Sequence, residues 1–271
     1  MSEKAYVPPY KITDAIVALI SKISEQVGAV SVSGESAAAN PRLRRDNRIK
    51  TIHSSLAIEN NSLTLAQVTD VINGKRVAGA RNEIREVKNA YEAYGILPTL
   101  DPFKIRDMLK AHRALMSGLS EDAGSFRAGG VGVFAGKRLV HAAPPAKIVP
   151  KLMDDLICWA KKSGAHPLVK ACVFHYEFEF IHPFSDGNGR MGRMWQTLLL
   201  SRWKPVFAWL PAETLVRKRQ REYYGVLAAS DAASDSTAFV EYMLRVISDA
   251  LDELLVNMEG ARPVKVKKVK K

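Results

Sequence analysis

His182-Pro183-Phe184-Ser185-Asp186-Gly187-Asn188-Gly189-Arg190, continued by Met191-Gly192-Arg193, is the stretch on which the reading of this chain turns. It joins two helices of different character. Upstream, Leu168, Val169, Ala171, Cys172, Val173, Phe174, Tyr176, Phe178, Phe180 and Ile181 surround the segment 166–181 with apolar groups, the pattern of a helix buried on all sides. Downstream, residues from about Asn188 to Arg202 read as an amphipathic helix. A central buried helix with a partner this close in sequence points to a mainly α-helical fold.

Working outward, apolar residues recur mostly at helical spacing. Ile16, Leu19, Ile20, Ile23 and Val27 form one stripe after Thr13, and Gly28 reads as its stop, with SVSGESAAAN as a loop. A second helix is expected from Pro41 to Glu59. A third starts at Thr64, where Thr64 and Gln67 make a capping box, and ends at Asn73-Gly74. Further helices fit residues near 81 to 97, 102 to 117, 146 to 162, 212 to 230 and 237 to 256. Between Phe126 and Pro145 the helical period is lost, and VGVFAGKRLV with Gly136-Lys137 at its middle reads as the one short β-hairpin. No internal repeat or linker divides the chain.

With 271 residues, 47% hydrophobic and 25% charged, the chain is long enough for a sizeable core. No stretch reads as a membrane span and MSEKAYVPPYK lacks the apolar core of a signal peptide, so a cytoplasmic protein is expected. Cys158 and Cys172 have no partner at metal-ligand spacing and are expected to be buried thiols. The formal charge of +12 suggests an anionic partner. Six of those charges, however, fall on Arg262, Lys265, Lys267, Lys268, Lys270 and Lys271, a basic end expected to be a solvated, disordered tail.

The residue types in 182–193 suit phosphate chemistry. Glycines on both sides of Asn188 let successive backbone N–H groups converge on an anion at the start of the next helix. Arg190 and Arg193 are three apart, hence on one face, and can set two guanidinium forks beside one polyphosphate. Asp186 beside such a site is repulsive unless a divalent cation lies between, and Mg²⁺ commonly uses one or two carboxylates plus phosphate oxygens. His182 offers an imidazole nitrogen that can accept the proton of an attacking hydroxyl. A base, a metal carboxylate, an anion loop and two arginines this close together have no economical packing explanation.

HPFSDGNGRMGR resembles the Fic-family signature at every diagnostic position, and the likeness extends to SSLAIENN, the hairpin before Pro144, HYEFEFIHPF and Tyr223-Tyr224. The resemblance implies a mainly helical Fic fold with a hairpin flap, divided as an N-terminal helical region with an inhibitory helix (1–80), a catalytic domain (81–260) and the basic tail (261–271). It implies a protein adenylyltransferase that moves AMP from ATP to a Ser, Thr or Tyr hydroxyl of a target protein, with Mg²⁺. His182 would be the general base and Asp186 the metal ligand. The segment Gly187, Asn188, Gly189, Arg190, Met191, Gly192, Arg193 would bind the nucleotide, and Phe184 would pack inward. Ala135, Gly136 and Lys137 of the flap and Tyr223 and Tyr224 would help enclose it, the flap edge aligning the target by strand addition. His175 reads as structural. Ser55 and Glu59 resemble the family's inhibitory motif, in which the glutamate pairs with the second arginine, here Arg193, and keeps it from the γ-phosphate.

Three alternatives stay open at this level. Glu59 could activate water for the removal of AMP from modified proteins; a different phosphate-containing donor could be used; and the arginines at 42, 44, 45 and 48 with the tail could mark a nucleic-acid binder, which the lack of aromatic interleaving and of a recognition helix disfavours. Several Fic proteins assemble, so the resemblance also allows a homodimer.

Overall fold

The computed structural model describes residues 6–37, 41–135 and 138–260. Among them the order is α1 (Asp14–Ala37), α2 (Pro41–Ile58), α3 (Leu65–Ile72), α4 (Arg81–Ile96), α5 (Ile105–Met116), β1 (Gly132–Ala135), β2 (Arg138–Ala142), α6 (Val149–Lys162), α7 (Pro167–Ile181), α8 (Asn188–Trp203), α9 (Glu213–Lys218), α10 (Gln220–Ala233) and α11 (Thr237–Gly260). The expected mainly helical architecture is what the chain adopts. Helix α7 is its axis: Leu168, Val169, Ala171, Cys172, Phe174 and Phe178 are wholly buried, and each large side chain so enclosed contributes about 1.5–3 kcal/mol. It packs on α8, α6 and α11, while α1 lies along α11 and α2 packs on α4, α8 and α9.

Local chemistry sets the ends. Thr64 Oγ1 accepts from the Gln67 N–H at 3.3 Å and the Gln67 side chain accepts from the Thr64 N–H at 2.9 Å, the reciprocal cap expected for α3. Helix α7 opens with Pro167 after His166, whose Nδ1 accepts from the Leu168 N–H. It cannot run on because Pro183 excludes the helical conformation at the residue before it, and His182 turns left-handed at φ 50°, ψ 61°. The two strands pair antiparallel from Gly132 opposite Ala142 to Ala135 opposite Arg138, with an irregularity between Val133 and Phe134.

Three details differ from the sequence reading. Helix α1 does not stop at Gly28 but continues to Ala37, because Val30 extends the buried stripe of Ile16, Ile23 and Val27 while Gly28 sits on the exposed side. The single helix expected over 212–230 is two, broken at Arg219 (φ −111°, ψ 29°). Cys158 is exposed: α6 turns Val149, Met153, Leu156 and Ala160 inward, and Cys158 falls on the other face, whereas Cys172 is buried. Gly136, Lys137 and the tail from residue 261 onward lie outside the described residues. No described helix is long and apolar enough to cross a membrane.

Candidate active site

A left-handed backbone at a non-glycine residue costs about 1–2 kcal/mol and persists only where its surroundings enforce it. At His182 the enforcing residue is Arg127. Its Nε donates to the His182 carbonyl at 2.7 Å, and its terminal nitrogens donate to the carbonyls of Gly129, Pro144 and Ile181. Its backbone N–H donates to the Pro183 carbonyl at 3.0 Å. One buried guanidinium thus ties the end of α7 to the segment that leads into and out of the hairpin. The His182 ring is oriented by its Nδ1, 3.2 Å from the Glu179 carbonyl. A carbonyl only accepts, so Nδ1 carries the hydrogen and Nε2 keeps a lone pair in the neutral ring.

The loop that follows is fixed from inside. The Asn188 side chain accepts from the Phe184 N–H at 2.9 Å and donates to the Phe184 carbonyl at 2.8 Å. That side chain is therefore committed within the loop, and what residue 188 can offer an anion is its backbone N–H. Phe184 packs inward, stacked on His112 with ring centroids 3.6 Å apart and planes within 5°. His112 Nδ1 accepts from the Gly124 N–H at 2.9 Å, so the hydrogen sits on Nε2, which donates to the Asp186 carbonyl at 3.0 Å. Burial pushes the His112 pKa down, in keeping with a neutral ring. Gly187, the residue before α8, has φ 86°, and a Cβ there would crowd the Met116 sulfur. No side chain caps α8, so the N–H groups of its first turn are left for an anion.

Asp186 is 64% exposed, and both of its bonds fall on Oδ1, from the Gly187 N–H at 2.6 Å and from Arg190 at 3.0 Å. Among the described residues no group of three His, Cys, Asp or Glu gathers to hold a metal by protein alone. A single exposed carboxylate beside an anion loop fits a divalent ion that takes its other ligands from phosphate oxygens and water. Met191 is fully buried, and Gly192 lies against Glu179 and His175.

Arg193, 2% exposed, is bound to the end of α2. Its Nε donates to Ser55 Oγ at 3.1 Å, and one terminal nitrogen donates to the Ser55 carbonyl at 3.0 Å and to Glu59 Oε1 at 2.7 Å. Burial opposes the charge, yet Glu59 above all, with Glu179 and the Tyr223 hydroxyl, holds the Arg193 pKa above its ordinary value. The Glu59 carboxylate, 31% exposed, lies hard against Gly189 in the mouth of the loop.

The two tyrosines separate. Tyr223 is 1% exposed and its hydroxyl sits 3.1 Å from His175 Nε2, while His175 Nδ1 lies 2.8 Å from Gln196 Oε1; both are part of the core. Tyr224 is 43% exposed, its ring edge-on to Tyr223, and it lies within electrostatic reach of Glu59 and Arg193. Strand β2 runs beside α10, the helix that carries both. The side chain of Ala135 is outside the described residues. Sequence reasoning missed Arg127 and His112, the residues that hold the loop in shape; neither sits in a local pattern that marks it.

A helical bundle whose buried axis ends in a strained histidine, followed by a glycine loop opening onto a helix N-terminus, is the arrangement expected of a protein of the Fic type. The family model described as Fic/DOC matches residues 102–200. The solved structure of a Fic family protein from Desulfovibrio desulfuricans G20 superposes with a TM-score of 0.91 at 54% identity, over 96% of this chain and 80% of that one. The chain belongs to the Fic/DOC family. Fic-1 from C. elegans shares the fold with a TM-score of 0.74 at 21% identity, over 91% of this chain and 74% of that one. Curated relatives named protein adenylyltransferase Fic include those of Aedes aegypti, 26% identical over 255 residues, and Drosophila erecta, 27% identical over 244 residues. The match covers 90% and 86% of this chain but 49% and 47% of those proteins, so the chain spans about half the length of the curated relatives it matches.

Proposed function

We propose that this chain is a protein adenylyltransferase: it transfers AMP from ATP to a Ser, Thr or Tyr hydroxyl of a target protein, with residues 81–260 as the catalytic part and Glu59 in the preceding region as a brake. The observation that carries the reading is the tautomer of His182. With Nδ1–H given to the Glu179 carbonyl, Nε2 is free to take the proton of an attacking hydroxyl beside a loop whose first-turn N–H groups suit an anion. The hydroxyl oxygen forms a bond to the α-phosphorus, the bond from that phosphorus to the oxygen bridging to the β-phosphate breaks, and pyrophosphate leaves with the electron pair. Arg190 and the loop N–H groups stabilise the charge spread over the phosphoryl oxygens. Asp186 would hold Mg²⁺, whose contribution is to neutralise phosphate charge. Tyr224, half-exposed near Arg193, and the hairpin would close over the nucleotide. In this state Arg193 is held by Glu59, and transfer is restrained.

The test is incubation with α-labelled ATP and Mg²⁺, followed by mass spectrometry of the protein and of a lysate. A mass gain of one AMP on a hydroxyl residue is expected. His182→Ala should lower incorporation by about 10²–10⁴-fold, while ATP binding, measured by calorimetry, stays within a factor of about two. Incorporation at the parent rate by that variant would remove the base from the mechanism.

A further inference from the structure

Arg190 is as deeply enclosed as Arg193, with 6% of its side chain exposed, and it too meets a carboxylate from outside its own loop. One terminal nitrogen donates to Asp186 Oδ1 at 3.0 Å and the other reaches Glu86 Oε1, on α4, at 3.4 Å. Its Nε–H is buried with no partner. Glu86 is in turn held by Asn61, whose side-chain amide donates to Glu86 Oε2 at 2.7 Å and to the Glu83 carbonyl at 3.2 Å, and whose side-chain oxygen accepts from the Leu63 N–H. Asn61 stands two residues past Glu59, beyond the left-handed Asn60, and its backbone N–H donates to the Leu56 carbonyl at the end of α2. The turn that leaves α2 is therefore joined to both arginines, to Arg193 through Glu59 and to Arg190 through Asn61 and Glu86.

We infer that Glu86, fixed by Asn61, is a positioning residue for Arg190: it holds the guanidinium by one terminal nitrogen and leaves the Nε–H as a vacant donor for a phosphate oxygen. The inference rests on the reading of 187–193 as a polyphosphate site. The physical reason is competition between two carboxylates for one fork. Asp186 is four residues back on the same turn, and without Glu86 the guanidinium would close on it through two nitrogens, the preferred geometry of an Arg–carboxylate pair. That closure would withdraw an arginine from the phosphates and the one exposed carboxylate from any divalent ion. Glu86 keeps the fork open. The buried, unpaired Nε–H is what such an arrangement leaves: a desolvated donor that stays costly until a ligand satisfies it.

The experiment is a double-mutant cycle on the Kd for Mg-ATP, measured by calorimetry on the full chain carrying Glu59→Gly, with AMP incorporation followed on the same samples. Glu86→Ala is expected to raise Kd about tenfold, and Glu86→Gln, which keeps an acceptor of the same shape, less than about threefold. Asn61→Ala should give part of the Glu86→Ala loss. In an Arg190→Ala background Glu86→Ala should add less than about a factor of two, because its effect passes through the arginine. An unchanged Kd, or a loss of equal size with and without Arg190, overturns the inference; should Glu86→Ala fail to fold, Glu86→Gln and Asn61→Ala carry the same cycle. Incorporation without a Glu86 effect overturns this inference alone, a Glu86 effect without incorporation refutes AMP transfer alone, and the absence of any ATP binding overturns both.

Discussion

Replacing Glu59 by glycine is the sharpest perturbation of the proposed brake, and the structure sets its size. Arg193 makes three polar contacts with the end of α2, two to Ser55 and one to Glu59. Only the third joins two charged groups, and only it lies in the mouth of the loop, against Gly189. A hydrogen bond between charged groups is worth about 1.5–3 kcal/mol net, and the partial exposure of Glu59 moves the lower bound to about 1 kcal/mol. If that contact is what separates Arg193 from the γ-phosphate, its loss should raise the rate of AMP transfer by about five- to 150-fold. The assay is incorporation from α-labelled ATP at a concentration below the parent KM, on the chain itself and on a lysate, with automodification appearing first. Glu59→Gly combined with Arg193→Ala is the control: with no arginine to release, the gain should shrink to less than about twofold. Equal or lower incorporation by the single variant refutes the brake. If the same variant instead loses the ability to remove AMP from modified protein, the carboxylate acts on water, and hydrolysis becomes the leading activity.

Two further outcomes follow from buried groups around the site. His112→Phe keeps a flat ring against Phe184 but leaves the Gly124 N–H and the Asp186 carbonyl without their ring partners; at about 1–3 kcal/mol for each, the denaturant midpoint should fall clearly and ATP should bind more weakly, and unchanged values would deny His112 its hold on the loop. Glu213 is enclosed beside a cavity of about 20 Å³ next to Arg193, its Oε2 has no partner, and burial raises its pKa to about 7. The native state therefore keeps a proton that the unfolded glutamate releases above its ordinary 4.5, so this group's contribution to stability is complete below pH 4.5 and is lost as pH rises to about 7. Glu213→Gln should match the parent at pH 4.5 and exceed it at pH 8 by about 1–3 kcal/mol in thermal or denaturant melts, and parallel curves across that window would refute the shift.

What could be read from the sequence was what is local. The capping box at Thr64 and the all-apolar helix before His182 are patterns of consecutive residues and took the expected form, whereas of the two glycines flanking Asn188 only Gly187 adopts a left-handed backbone. Gly28 misled because glycine is a weak breaker where a buried stripe runs past it: the packing of α1 along α11 outweighs the roughly 1 kcal/mol that glycine costs in a helix. The break at Arg219 carries no glycine or proline to announce it. Arg127, His112 and Glu86 were illegible for a different reason. Each acts on a partner 55 to 104 positions away, and an arginine bonded to backbone carbonyls looks, in sequence, like any surface arginine.

The three glycines of the loop show how one motif can answer to several neighbours. Gly187 is required by its own backbone, at φ 86°. Gly189 and Gly192 have no such need, and their reasons lie outside the loop. A Cβ at 189 would collide with the Glu59 carboxylate and come within 3.1 Å of Arg193, and one at 192 would press on Glu179 at 2.5 Å and on His175 at 3.0 Å. Gly192 thus makes room for the helix that carries the proposed base, since Glu179 supplies the carbonyl that fixes the His182 ring. Gly189 makes room for the proposed brake. In the proposed site a polyphosphate approaching the first turn of α8 meets the Glu59 carboxylate beside Arg193, so anion and carboxylate compete for the same arginine. Moving the α2 end by the width of one carboxylate would free Arg193 without disturbing the loop, so the proposed restraint can reside in a single side chain.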